Sequence, residues 1–120
     1  MKTAGKGPRA RLRIVLGPDV AIGPGKADLL EGVKASGSIA AAGRRMGMSY
    51  KRAWYHVSAM NACFDRPLVE ASRGGPRGGG AQLTPFGEEV LARFRRMEEL
   101  TAAAVADELK ALARKTRRRR

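Results

Sequence analysis

The stretch 36–64, Ser-Gly-Ser-Ile-Ala-Ala-Ala-Gly-Arg-Arg-Met-Gly-Met-Ser-Tyr-Lys-Arg-Ala-Trp-Tyr-His-Val-Ser-Ala-Met-Asn-Ala-Cys-Phe, constrains the fold most, because it encodes two short helices with almost no chain between them. Ser38 has the side chain of an N-cap, Gly47 suits a left-handed C-terminal position, and Ser49 caps the second helix. Ile39, Ala41 and Ala42 permit close approach of the first helix to a neighbour. On a helical wheel Tyr50, Ala53, Trp54, Val57, Met60, Asn61 and Phe64 share one side, whereas Lys51, Arg52, Tyr55, His56 and Ala59 share the other. One face is expected to pack, with Trp54 in the core, and the basic, aromatic face is left free. A helix, a glycine turn and a second helix beginning with Lys and Arg is the arrangement that carries side chains to base edges in a DNA major groove. The competing reading is a helical hairpin with a solvated charged face.

Charge favours a polyanionic partner. The 120 residues contain 24 Lys and Arg against 11 Asp and Glu, a net charge of +13, which suits nucleic acid, an anionic membrane face or an acidic protein. The length suits one domain with a modest core. No apolar run approaches the roughly 18 residues of a membrane span. The basic start, Met-Lys-Thr-Ala-Gly-Lys-Gly-Pro-Arg, has no hydrophobic region behind it, so a soluble, cytoplasmic protein is expected. Cys63 is the only cysteine and has no partner for an intramolecular bridge, in keeping with a reducing compartment.

Around this centre the chain divides into 1–8, a polar basic segment expected to be disordered, a domain over 9–113, and a tail over 114–120. From Arg9 to Leu16 the alternation of Arg with apolar residues predicts a strand with one basic and one buried face. Gly17-Pro18-Asp19 turns the chain, 20–22 reads as a brief strand or simply extended chain, and Leu29, Leu30 and Val33 stripe a helix over about 26–35 that Gly37 ends. Gly32 inside that helix points to close packing. Leu68 to Ser72 and Ala81 to Leu83 read as strands flanking Arg-Gly-Gly-Pro-Arg-Gly-Gly-Gly, a hairpin with a basic, glycine-rich tip. That segment lacks the endings and spacings of nucleotide-binding glycine loops. As a wing beside a DNA-reading helix, it would set Arg73 and Arg77 near phosphates or the minor groove.

Thr84 and Pro85 start a last helix whose apolar positions, Phe86, Val90, Leu91, Phe94, Met97, Leu100, Ala104, Val105, Leu109 and Leu112, recur mostly every three or four residues. Seven to eight turns, roughly 40 Å at 1.5 Å per residue, exceed what so small a domain covers. A second copy is therefore expected on Phe86, Val90, Leu91, Phe94, Met97 and Leu100; the alternative is a helix folding back at Thr101 to Ala104. The closing block from Arg114 to Arg120, six basic residues in seven, would add phosphate contacts without sequence preference. His56 is the only histidine and stands outward, no motif pairs it with a nucleophile, and His56 with Cys63 supplies only two metal ligands. Neither an enzyme, a metal site nor a cofactor is expected.

Ser36-Gly37-Ser38-Ile39, Met48-Ser49-Tyr50-Lys51 followed by Ala53-Trp54, Met60-Asn61, Gly74-Gly75, Gly78-Gly79-Gly80-Ala81, Leu83-Thr84 and Gly87 resemble the N-terminal winged-helix domain of the molybdate-responsive ModE regulators. The resemblance covers about 12–100. It implies a dimeric bacterial or archaeal transcription factor, associated with the nucleoid, whose wing and recognition helix touch DNA. Full-length members carry a second region for molybdate or tungstate, for which 120 residues leave no room, so a stand-alone form without a small-molecule effector is expected.

The fold expected is α+β, a winged helix-turn-helix with a long C-terminal dimerisation helix. The function expected is regulation of transcription by binding a two-fold related duplex site, in the manner of ModE and LysR-like proteins. Lys51, Arg52 and Tyr55 are the candidates for base or adjacent phosphate contacts, with Ser49 and Tyr50 at the helix N-terminus where amides face phosphate, and His56, Arg73 and Arg77 beside them. A nucleoid binder of low specificity and an adaptor holding a protein on its last helix are the alternatives.

Overall fold

Small residues decide how near the helices come. In the computed structural model, which describes residues 7–72 and 80–117, the order is β1 (Ile14–Gly17), β2 (Val20–Ile22), α1 (Pro24–Ser36), α2 (Ile39–Arg45), α3 (Tyr50–Cys63), β3 (Val69–Ser72), β4 (Gly80–Leu83) and α4 (Pro85–Ala113). A Cβ on Gly32 of α1 would lie 2.9 Å from the Ala42 Cβ of α2, and one on Gly43 of α2 would lie 2.8 Å from the Ala53 Cβ of α3. Three helices thus meet almost backbone to backbone, and Leu29, Leu30, Val33, Val57 and Met60 fill the space around those contacts.

The predicted boundaries have their physical causes in place. The Ser38 and Ser49 hydroxyls accept from the Ala41 and Arg52 amides at 3.0 and 3.1 Å, which satisfies one otherwise unpaired amide at each helix start. Gly37 and Gly47 have φ of 73° and 72°, the left-handed conformation that ends α1 and the turn after α2 without a Cβ penalty. Thr84 caps α4 through the Gly87 amide at 2.9 Å, with Pro85 in its first turn.

β3 and β4 pair antiparallel, Val69 with Leu83 and Ser72 with Gly80, and form the base of the wing; the predicted tip, with Arg73 and Arg77, lies outside the described residues. Asn61 fastens this ribbon to α3. Its carboxamide oxygen accepts from the Leu68 and Val69 amides at 2.8 and 3.2 Å, and its nitrogen donates to the Val69 carbonyl at 3.0 Å. On the other side the Ala81 amide donates to the Gly37 carbonyl at 2.9 Å, so β4 is held by the end of α1.

Two expectations about β1 and α4 need correction. The strand predicted from Arg9 begins only at Ile14, because β2 offers three residues and the register ends at the pair Ile14 with Ile22. Alternation survives in 11–14, where Leu12 and Ile14 are half-buried and Arg11 and Arg13 exposed, but without a partner strand. The second concerns α4. Leu91 and Phe94, assigned to dimerisation, are buried in the protomer's own core, Phe94 to 1% exposure, against α1 and the wing base. Phe86 is half-buried edge-on to Phe64, ring centroids 5.5 Å apart, with the Arg66 guanidinium over its face, and Val90 packs on the core.

α4 is one unbroken 29-residue helix through Thr101 to Ala104, not a folded-back pair. Its first three turns are spent on the domain, and beyond them Leu100 and Leu112 are exposed. The radius of gyration, 16.7 Å, exceeds the roughly 14 Å of a compact chain of this length, in line with a projecting helix end.

A Cβ on Gly87 would run into the Leu68 carbonyl, where α4 crosses the start of β3. Helix propensity alone would make Gly87→Ala stabilising by about 1 kcal/mol. Overpacking should reverse the sign and cost about 1–3 kcal/mol in urea denaturation. Asn61→Ala should cost a similar roughly 2–3 kcal/mol, since it strips partners from three backbone groups at the wing base. A neutral outcome for either variant would contradict the packing described.

Candidate nucleic-acid interface

α3 has one buried side, defined by Ala53, Val57 and Met60, and that side sets the direction of every other residue on it. At 100° per residue Lys51 and Tyr55 fall opposite the core, and both are exposed, Tyr55 at 68%. Tyr50 and Trp54 occupy one flank, which they share with Asn61 and hence with the wing base. Arg52 and His56 occupy the other, together with Cys63, whose thiol donates to the Asp19 carbonyl at 3.5 Å in the turn between β1 and β2. The first two turns of α3 therefore present a basic and aromatic surface, and the last turn of the helix is tied to the wing base through Asn61 and to the β1–β2 turn through Cys63.

Trp54, expected in the core, is 38% exposed. The reason is geometric. With Ala53 in direct contact with Gly43, α2 and α3 are too close to admit an indole between them, and Trp54 lies at the edge of the interface. Tyr50, placed on the same packing face of the wheel, is likewise exposed.

No carboxylate lies on α2 or α3. Between Glu31 and Asp65 the sequence contains no Asp or Glu, but Lys34, Arg44, Arg45, Lys51 and Arg52. Acidic residues of α1 and α4 are engaged elsewhere: Arg95 of α4 bonds Asp28 and Glu31 of α1 at 2.9 Å and Glu98 at 3.0 Å, and Lys34 bonds Glu88 at 2.9 Å. Burial works against the charge of Arg95, but its hydrogen bonds to Asp28, Glu98 and Glu31 outweigh that and raise its pKa above the ordinary arginine value. Lys34 is likewise raised by the hydrogen bond and charge of Glu88. His56 shifts the other way: partial burial, then the charges of Arg52 and Lys26, lower its pKa from 6.5. That shift favours the neutral imidazole, a polar group rather than a cation.

Ser49, Tyr50, Lys51, Arg52, Tyr55 and His56 thus stand together on the first two turns of α3, with the Ser49 hydroxyl occupied as the helix cap. Lys26 at the start of α1 belongs to the same basic neighbourhood, and Arg44 and Arg45 are exposed at the end of α2. The acid-free run through α2 and α3 is the sequence signal that marks them. Among the described residues no group of three or more metal-ligating side chains occurs, and no helix is long and apolar enough to cross a membrane.

Residues 27–88, just over half of the chain, match the model of the bacterial regulatory helix-turn-helix proteins of the lysR family. The molybdenum-pterin-binding protein MopB of Rhodobacter capsulatus is 46% identical over 77 residues, 64% of this chain and 28% of its own length. The transcriptional regulator ModE of Haemophilus influenzae is 39% identical over 87 residues, 72% of this chain and 34% of its own. The DNA-binding transcriptional dual regulator ModE of Escherichia coli K12 is 35% identical over 81 residues, 68% and 31% respectively. The chain spans about a third or less of the length of these relatives. Its helix-turn-helix and wing base coincide with the matched residues, and the chain belongs to the lysR family of bacterial regulatory helix-turn-helix proteins.

Proposed function

We propose that the chain regulates bacterial transcription by binding a two-fold related site in duplex DNA as a homodimer, with α3 in the major groove. The observation that carries this reading is the outer surface of α3, where Lys51, Arg52 and Tyr55 are exposed in the first two turns of a helix that carries no carboxylate. Lys and Arg suit guanine O6 and N7, and the exposed rings of Tyr50 and Trp54 suit thymine methyl groups. The names of the ModE relatives, a transcriptional regulator and a DNA-binding dual regulator, agree with it.

Dimerisation rests on the distal half of α4. Met97, Leu100, Val105, Leu109 and Leu112 continue the apolar stripe past the point where the domain stops covering it. A second copy laid against this stripe would bury it in the way of a coiled-coil seam. A coater of DNA with no sequence preference is the second reading, favoured by the net charge of +13.

Two measurements decide. Lys51→Ala or Arg52→Ala should cost roughly 1–3 kcal/mol on the duplex recovered as tightest from a random pool and much less on unselected duplex. Equal losses on both would leave only the coater. In sedimentation at micromolar concentration the chain should run at about twice its 12.9 kDa, and Leu100→Glu with Leu112→Glu should return it to the monomer mass. A wild-type monomer would end the dimer proposal.

A further inference from the structure

The geometry points to a second DNA contact beside α3: an arginine arm, Arg9, Arg11 and Arg13, that grips phosphates of the strand flanking the groove. This rests on the DNA-binding reading above and adds a surface to it. In 9–13, Arg9, Arg11 and Arg13 are all exposed, whereas Leu12 between them is half-buried. Ile14 packs against the core and Leu12 is half-buried, so Arg11 and Arg13 face outward, and Arg9 is exposed ahead of them. In an extended chain that is one charge per roughly 6.6 Å, about two phosphate steps of one strand as measured along the duplex axis.

The position of the arm follows from what anchors the β1–β2 hairpin. Its turn meets the C-terminal end of α3, where the Cys63 thiol reaches the Asp19 carbonyl. Its open end, the pair Ile14 with Ile22, lies about 13 Å back along the strand. His56 lies about 10 Å back along α3. Lys26, four residues beyond Ile22, is near enough for its charge to depress the His56 pKa. The hairpin's turn is thus tied to the last turn of α3, and its open end leads into α1, whose Lys26 lies near His56 on the flank that carries Arg52. Arg13 enters there, its Cγ 3.8 Å from where a Cβ of Gly23 would stand at the start of α1.

Arg13, Lys26 and Arg52 thus border one side of the helix that enters the groove, and the wing borders the other. Two carboxylates carried by these elements do not cancel the charge: Asp28 of α1 is bonded to Arg95, and Asp19 sits at the far end of the hairpin. Contacts of this kind position a protein on the duplex and carry no sequence information. Their signature is in the salt dependence.

The test uses the full chain with Arg9→Ala, Arg11→Ala and Arg13→Ala combined, and the same three positions as Lys. Fluorescence anisotropy is followed over a salt series on the tightest selected duplex and on an unselected one. The alanine variant should lose affinity for both by the same factor, and its log-log salt slope should be shallower by up to about 2.7, near 0.9 per phosphate contact. The lysine variant should restore the slope. Hydroxyl-radical footprints on the selected duplex should lose protection only at backbone flanking the site, which a mere drop in net charge would not produce. Wild type that binds with a slope the alanines leave unchanged would overturn the arm alone. Wild type that binds neither duplex would overturn the arm and the DNA-binding reading together. Loss confined to the selected duplex would show base reading and overturn the phosphate assignment.

Discussion

The rest of the structure depends on two contacts in which a glycine faces an alanine: Gly32 with Ala42, and Gly43 with Ala53. Any larger side chain at the glycines would push α2 outward, and with it the turn that aims α3. Because interiors are close-packed, the shift would not be absorbed locally. The same closeness excludes the Trp54 indole from the interface and delivers it, with Tyr50, to the surface that α3 presents. A packing constraint thus creates the aromatic part of the candidate DNA surface.

Charge is sorted by the fold in a complementary way. Arg95 gathers Asp28 and Glu31 onto the α1–α4 side, and Lys34 holds Glu88, so acids collect where the long helix crosses the domain. These partly exposed pairs add little stability individually. Their larger consequence is for the electrostatic field, since carboxylates tied down on one side leave α2, α3 and the arm basic without interruption. A polyanion approaching the molecule meets that side preferentially.

Much of this was legible in the sequence, and the reasons differ from element to element. Ser38, Ser49 and Thr84 announced helix starts because a cap acts through its own side chain, and Gly37 and Gly47 announced turns because their backbone geometry excludes other residues. Such local chemistry needs no partner. Where a partner decides, sequence pattern was silent: the alternation from Arg9 implied a strand, but strand pairing depends on β2, which stops at Ile22. The apolar stripe of α4 was visible throughout, yet nothing in its period separates Leu91 and Phe94, buried in their own domain, from Leu100 and Leu112, left exposed. Trp54 was misplaced because a wheel gives angles and not the distance between helix axes.

α4 joins the two halves of the proposed mechanism. Its first turns are locked to the domain through Gly87, Leu91, Phe94 and Arg95, which leaves little play between this helix and the reading surface. Its distal turns, about 25 Å from Met97 to Ala113 at 1.5 Å per residue, carry the stripe on which a second copy would lie. In the proposed dimer the direction of this one rigid helix sets the separation and tilt of the two α3 helices. Half-sites on one face of a duplex recur only at multiples of about 34 Å, so a helix that flexed relative to the domain would blur that match. In that proposed dimer the continuity of α4 through Thr101 to Ala104 would link the spacing of the half-sites to a backbone with no hinge in it.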